Sequence, residues 1–429
     1  MPNRRLLSLL PVLFALALHG CQRPAEPAAA PAAPAAPVAQ AKPPSADATY
    51  ALTLARQPSA AEMAAVGRAM FSDKGLSASG QMSCASCHSP QHAYGPPNAL
   101  SVQLGGPDGQ QPGVRAVPSL RYVQTVTAFS EHHFDNDGDD SVDAGPTGGH
   151  TWDGRADSTH AQSAVPLLSA YEMANASPAA VVAKLRQASY AGQFRATFGQ
   201  DIFDDEAKAF RWAGMALEVF QETPEEFYPF DSKFDAVLRK QAKFTPQEAR
   251  GLALFEDEKK GNCASCHISR ITPDGGFPLF SDFGLIAIGV PRNAAIPANA
   301  DPAYFDLGLC GPLRTDLKDR PEYCGLFRTP SLRNVATRQV FMHNGVFHSL
   351  DEVLRFYVQR DTHPGRFYPR GKDGKPAKFD DLPARYHANL NTDAPFDGRR
   401  PGQRPVWSEA DIRDVVVFLK TLNDGWHPP

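Results

Sequence analysis

One five-residue segment occurs twice in this chain, as Cys84-Ala-Ser-Cys87-His88 and again as Cys263-Ala-Ser-Cys266-His267. The order C-x-x-C-H lets two thiols add across the vinyl groups of one porphyrin while the adjacent imidazole reaches its iron, which is the attachment pattern of c-type haem. Taken singly, the same residues also suit a zinc site or a redox-active C-x-x-C pair. Matching prefaces stand before both copies. Ser59-Ala-Ala-Glu62 and Thr245-Pro-Gln-Glu248 are capping boxes that open helical patterns, and Gly67 and Phe71 correspond to Gly251 and Phe255. The run from that Phe to the first Cys is 13 residues in the first copy and 8 in the second.

The N-terminus weighs on the choice between haem and its rivals. Arg4 and Arg5 precede an apolar run, Leu6 to Leu18, that is too short to span a bilayer and reads as an export signal. It ends Leu18-His19-Gly20-Cys21, similar to a bacterial lipobox with His19 as an unusual member; Cys21 would then be lipidated, and a plain secretory cut nearby is the alternative. Either way the mature chain lies outside the cytoplasm, periplasmic and, on the first reading, touching a membrane by its lipid anchor only. Two C-x-x-C-H motifs in such a chain favour two covalently bound c-type haems, in two cytochrome c-like units made by internal duplication. Seven cysteines then divide into Cys21, four for haem, and Cys310 with Cys324. An oxidising compartment favours a disulfide between the last two over two free thiols.

The 429 residues, 42% hydrophobic and 21% charged, suffice for two or three domains with their own cores. A net charge of −4 with no basic stripe excludes a nucleic-acid partner. The expected organisation is a signal over 1–21, an Ala/Pro-rich tether over 22–47, an N-terminal haem domain over 48–239 and a C-terminal haem domain over 240–429. Helical patterns run over 178–198, 205–221, Leu350 to Tyr357 and Ser408 to Leu422, the last capped by Ser408 with Asp411 in its first turn. Strand alternation is scarce, so the fold class is mainly α with long loops. The acidic stretch 135–143 (DNDGDDSVD) has carboxylates to hold calcium but not the EF-hand register, and a solvated acidic loop is the alternative.

Two further stretches carry a family resemblance. Trp152-Asp153-Gly154-Arg155, and Thr329-Pro-Ser-Leu-Arg333-Asn334-Val335 followed by Phe341-Met342-His343-Asn344-Gly345, resemble segments of the bacterial dihaem cytochrome c peroxidase / MauG family. The resemblance covers roughly residues 55–425. It implies that the N-terminal haem is the peroxide site and the C-terminal haem the electron-transfer site. Gln162 and Glu172 stand 10 and 20 residues after Trp152, where the family has a Gln and a Glu. Glu172 would be the distal acid–base group that relays a proton during O–O cleavage, and Gln162 would orient water or peroxide. Trp152 would bridge the two haems.

The resemblance also marks departures. The usual peroxidases place a Met ligand 14 residues after the His of the H-[DN]-G motif; counting from His343 gives Tyr357, as in the MauG branch. A phenolate favours ferric and higher iron, so His267 and Tyr357 are the expected axial ligands of the second haem, as His88 is of the first; Met342 is the alternative to Tyr357. His343 is expected to stand behind the ligands or against a propionate. Residues 96–114 hold no His, so the first haem lacks the dissociable distal His of many relatives, His132-His133 being the nearest stand-in. Tyr122 occupies the place of an Asn that serves the family's interdomain calcium.

The expectation is an exported, MauG-like dihaem peroxidase that takes hydrogen peroxide and draws electrons from an external donor. That donor is a cytochrome, a cupredoxin or a partner protein modified in the process, and the protein is a monomer or a homodimer. A conventional cytochrome c peroxidase and a non-enzymatic dihaem carrier or redox sensor are the rivals.

Overall fold

In this computed structural model the described residues are Leu54, 56–132, 145–396 and 398–428. The export signal, Cys21, the Ala/Pro-rich tether, His133 and the acidic stretch 135–143 lie outside them. The longer helices of residues 60–221 are α1 (Ala60–Ser72), α2 (Thr159–Leu168), α3 (Pro178–Gln187), α4 (Ala191–Phe198) and α5 (Glu206–Gln221). Four follow: α6 (Lys233–Leu238), α7 (Pro246–Glu256), α8 (Leu350–Gln359) and α9 (Glu409–Lys420). Two four-residue helices (Cys84–Cys87 and Pro224–Phe227), short 3-10 turns and two very short antiparallel pairs complete the regular structure of the described residues. β1 (Leu104–Gly105) joins β2 (Gln111–Pro112), and β3 (Leu285–Ile286) joins β4 (Phe327–Arg328) with Leu285 opposite Arg328. The fold is mainly α with long loops, and no described helix is long and apolar enough to cross a membrane.

The duplicated preface builds the same corner twice. Ser59 accepts the Glu62 N–H while Glu62 accepts the Ser59 N–H (2.8 Å), and Thr245 and Glu248 repeat the exchange (2.7 Å). The helix each box starts then crosses the last helix of its half at a glycine. A β-carbon on Gly67 would lie 2.0 Å from the Ala216 carbonyl oxygen, and one on Gly251 would lie 2.1 Å from that of Asp414. Only a residue without a side chain allows backbones so close. Four residues on, Phe71 meets Phe220 and Phe255 meets Phe418, each pair with ring centroids 5.3 Å apart. Such a pair contributes about 0.5–1.5 kcal/mol beyond its buried area.

Each corner seeds a hydrophobic cluster. The first gathers Met63, Val66, Met70, Leu185, Phe194, Phe198 and Phe220, and the second Phe234, Phe255, Phe280, Phe356, Ile412 and Phe418. A third, smaller cluster holds Leu285, Leu309, Leu326 and the Cys310–Cys324 disulfide. The pattern over 178–198 is not one helix. Ala188 takes an extended backbone (ψ 148°), and this turn lets α4 bring Phe194 and Phe198 into the core that α3 already fills with Val181 and Leu185. The terminal pattern stops at Lys420, with Thr421 as its cap.

Candidate functional site

Two cavities, about 210 and 220 Å³, open beside the two C-x-x-C-H motifs. In each, the motif forms a tight turn in which the His N–H donates to the first Cys carbonyl (2.8 Å for His88 to Cys84 and for His267 to Cys263). The imidazoles are held alike. His88 Nδ1 donates to the Tyr94 carbonyl (3.1 Å) and His267 Nδ1 to that of Phe280 (2.9 Å). Both carbonyls are presented by left-handed backbone, φ 54° at Tyr94 and 55° at Phe280, a conformation rare for aromatic residues and typical of sites that fix a group. With Nδ1 engaged, Nε2 is the nitrogen left for a metal. Burial pushes both imidazoles down to about 4, which keeps them neutral and able to ligate.

The four motif cysteines, Cys84, Cys87, Cys263 and Cys266, are unpaired. Burial pushes the Cys84, Cys87 and Cys263 thiols up to about 12 and Cys266 to about 11. A redox pair works through a thiolate, and these environments disfavour it. Among the described residues no group of three or more His, Cys, Asp or Glu side chains is placed to hold a metal ion, so zinc lacks a ligand set. Two free thiols, one carbonyl-held neutral imidazole and a cavity beside them fit a covalently attached haem in both halves.

The first cavity is lined by His88, Gln162, Glu172 and Trp152. Gln162 rides on α2, whose start is fixed by the Ser158 hydroxyl accepting the Ala161 N–H. Glu172 follows that helix. Its N–H donates to the Ser169 carbonyl (3.0 Å), and its carbonyl accepts the Gly106 N–H (2.8 Å). The β1 strand reaches this spot because Gly105 has no side chain: a β-carbon there would lie 2.1 Å from the Tyr171 carbonyl oxygen. Glu172 exposes surface into the cavity. The protein packed around its carboxyl nonetheless raises the pKa above the ordinary carboxylate range, against the pull of Ser169 and Arg155. A group filling the cavity removes water from that carboxyl and acts in the same direction.

The second cavity is lined by His267, Met342, His343, Tyr357, Phe396 and Trp407, among others. Tyr357 comes from α8 and stacks on Phe396 (5.7 Å, 22° between planes), and the Arg360 guanidinium lies 3.5 Å from the Phe396 ring centre. Burial raises the Tyr357 phenol above its usual range. His343 stacks flat on Phe327 (3.5 Å, 9°), and burial lowers it to about 4.

The cavities share a wall. Pro118, Ser119, Val123, Trp152 and Arg328 line both. Trp152 is fixed there by its Nε1–H donating to the Ala116 carbonyl (2.7 Å). The next residue, Asp153, is buried and accepts from Arg115 (2.7 Å) and Arg155 (2.8 Å); Arg115 also grips Asp306 (2.6 Å). Burial would raise the Asp153 carboxyl, but the two guanidiniums outweigh it and hold it below its ordinary range. Nearby, Tyr122 donates to Asp424 (2.6 Å), as do Arg121 (2.7 Å) and Asn334 (2.6 Å). Protein groups thus converge on one carboxylate at the place where the resemblance put an interdomain ion. Sequence reading missed Arg328 and the Tyr94 and Phe280 carbonyls. The prolines of Arg115-Ala-Val-Pro118 and Arg328-Thr-Pro330, whose backbones act on the two imidazoles against the effect of burial, were the available signal.

This pairing of haem-type sites across one wall defines a dihaem c-type protein. Residues 61–243 match the family model of di-haem cytochrome c peroxidase. The methylamine utilization protein MauG of Paracoccus denitrificans is 38% identical over 375 residues, 86% of this chain and 90% of that protein. Its counterpart in Methylorubrum extorquens is 30% identical over 364 residues, 84% of this chain and 78% of that one. Among solved structures, the diheme peroxidase BthA from Burkholderia thailandensis is 40% identical, with a TM-score of 0.74 over 85% of this chain and 86% of its own. The chain belongs to the di-haem cytochrome c peroxidase family. It is a haem peroxidase with two c-type haems, with hydrogen peroxide as substrate and a redox partner as the source of electrons.

Proposed function

We propose that the chain is a MauG-like peroxidase in which peroxide is taken up in the first cavity and the oxidising equivalents are shared with the second. One observation carries this reading: His88, Gln162 and Glu172 line one cavity, His267 and Tyr357 line the other, and Trp152 stands in the wall common to both. When bound, the haems supply the irons that accept peroxide and hold oxidising equivalents. His88 and His267 present Nε2 to them. Glu172 takes the proton from the inner peroxide oxygen and returns it to the outer one, a role suited to a carboxyl whose pKa is raised towards neutrality. Gln162 orients peroxide by hydrogen bonding. Trp152 is the side chain through which charge passes between the cavities, and its hydrogen bond to Ala116 keeps the indole in place. Tyr357, stacked on Phe396, would hold the second haem together with His267.

The 48–239 and 240–429 halves are the peroxidatic and electron-transfer domains on this reading. The chain acts in the periplasm, carried there by its signal and held by a lipid on Cys21. Its donor is a small cytochrome, a cupredoxin or a partner protein that is itself modified, and calcium at 135–143 is a separate option. Met342 also lines the second cavity, which favours a conventional cytochrome c peroxidase as the second reading.

The test is to mix haem-loaded, all-ferric protein with one equivalent of hydrogen peroxide and follow both haems by optical and EPR spectroscopy. Joint loss of both ferric signals, without prior reduction, supports the shared-equivalent reading. A requirement for one haem to be reduced first favours the conventional peroxidase. Inertness even when half-reduced overturns both.

A further inference from the structure

Most arginines near the two cavities have their charge answered inside the protein. Arg115 pairs with Asp153 and Asp306, Arg155 with Asp153, Arg121 with Asp424 and Arg333 with Asp235. Arg338, which lines the second cavity only, has no ion pair among the described residues but donates to the Val117 and Val340 carbonyls, and Arg328, which lines both cavities, differs again. It is 7% exposed, and it forms no ion pair among the described residues. Its Nε donates to the Thr151 carbonyl (3.0 Å) and its backbone N–H to that of Trp152 (2.8 Å), but Nη1 is buried with no partner. Asp153 acts on it from a distance, already engaged by two other guanidiniums.

A guanidinium stays charged at any physiological pH, and leaving that charge buried and unanswered is unfavourable. Burial lowers the Arg328 pKa to about 10, with the distant Asp153 offsetting only part of the effect. Arg328 also lies in the wall common to both cavities, and each cavity receives a haem that carries two propionate carboxylates. The second cavity has two more unanswered donors: Arg121 Nε and Trp407 Nε1 are buried and unpartnered, the Trp407 indole being packed against Gly261.

We propose that Arg328 is a shared propionate anchor, answering a carboxylate from each of the two haems and thereby tying their reduction potentials to one positive charge, while Trp407 serves the second haem alone. The fork of a guanidinium can bond two acceptors at once, which an ammonium or an indole cannot do in the same geometry. A cation beside a haem stabilises its reduced form, so removing it lowers the potential.

The proposal needs the two haems and not Glu172 or Tyr357, so peroxide chemistry can fail while it holds. The experiment is an anaerobic spectroelectrochemical titration, with EPR to separate the haems, on full-length haem-loaded protein carrying Arg328→Gln, Arg328→Lys or Trp407→Phe. Arg328→Gln is expected to lower both midpoint potentials, by about tenfold in each reduction equilibrium, which is about 59 mV per electron. Arg328→Lys keeps the charge and leaves both near the parent values, and Trp407→Phe moves the second haem only. A shift of one haem or neither in Arg328→Gln, or an equal loss in Arg328→Lys, overturns the proposal. Should Arg328→Gln fail to accumulate with both haems, Arg328→Lys carries the test through resonance Raman. The propionate bending bands of both haems should move, and movement of one set or none overturns the assignment.

Discussion

Replacing Gly251 with Ala sets two effects against each other at the crossing of α7 and α9. Helix propensity favours Ala over Gly by about 1 kcal/mol in a helix interior. Packing opposes it. The added carbon would lie 2.1 Å from the Asp414 carbonyl oxygen and 2.7 Å from both the Asp414 carbonyl carbon and Phe418 Cβ. Ordinary carbon contacts are about 3.5–4.0 Å, so the helices must part by roughly 1 Å or more. Overpacking costs about 1–3 kcal/mol where side chains can adjust; here the obstacle is backbone, which no rotamer change relieves, so the upper end applies. The net expectation is a loss of about 2 kcal/mol. At roughly 2–4 °C per kcal/mol for a unit of this size, the melting temperature falls by about 4–8 °C. Thermal unfolding of the haem-loaded protein, followed by far-UV circular dichroism, measures it. Gly67→Ala, with its 2.0 Å approach to Ala216, should behave the same way in the first half. An unchanged or raised melting temperature in both variants would refute the argument that backbone contact selects these glycines.

Glu172→Gln should slow the reaction of the ferric protein with peroxide by about 10²–10⁴-fold in stopped-flow experiments, leaving the haem content unchanged. Because burial raises the Glu172 carboxyl and the carboxylate is the form that accepts a proton, the parent rate should climb with pH through a midpoint above the ordinary glutamate value. The profile should flatten in the Gln variant; a midpoint at or below the ordinary value would contradict the assignment. Arg333→Met leaves the fully buried Asp235 carboxylate unpaired and should cost about 3–5 kcal/mol in denaturant unfolding, whereas adding Asp235→Leu should recover much of it. Replacing both Cys310 and Cys324 with Ser opens a loop of 14 residues and should cost about 3 kcal/mol, read as a lower unfolding midpoint.

Local chemistry explains what the sequence revealed. Both capping boxes, the duplicated helix before each motif and the helices ending the two halves are set by contacts within a few residues, and each stands where its pattern put it, with ends shifted by a residue or two. The haem motifs are legible for the same reason, since thiols and imidazole must reach one macrocycle together. Gln162, Glu172 and Tyr357 were reached only through spacing shared with a family. Nothing in the periodicity of residues 162–172 marks them, because the hairpin that seats Glu172 arrives from Gly105 and Gly106. The carbonyls of Tyr94 and Phe280 were illegible because their left-handed backbone depends on distant packing. Arg328 was illegible because an arginine at the end of a two-residue strand normally faces water. The break at Ala188 was hidden because both helices it separates are apolar on compatible faces.

The common wall also bears on how such a duplicated chain can change. Leu313 and Arg328 from the second half line the first cavity, and Pro118, Val123 and Trp152 from the first half line the second. Neither half is therefore a module that can be cut out, exchanged or reshuffled while keeping its own redox chemistry. A fragment ending near residue 239 would keep Cys84, Cys87 and His88 but would open its haem to water on the side that Arg328 and Leu313 close. The two copies have become one inheritance unit: a substitution in the wall changes the lining of both cavities at once, and the second copy is not free to drift as a spare.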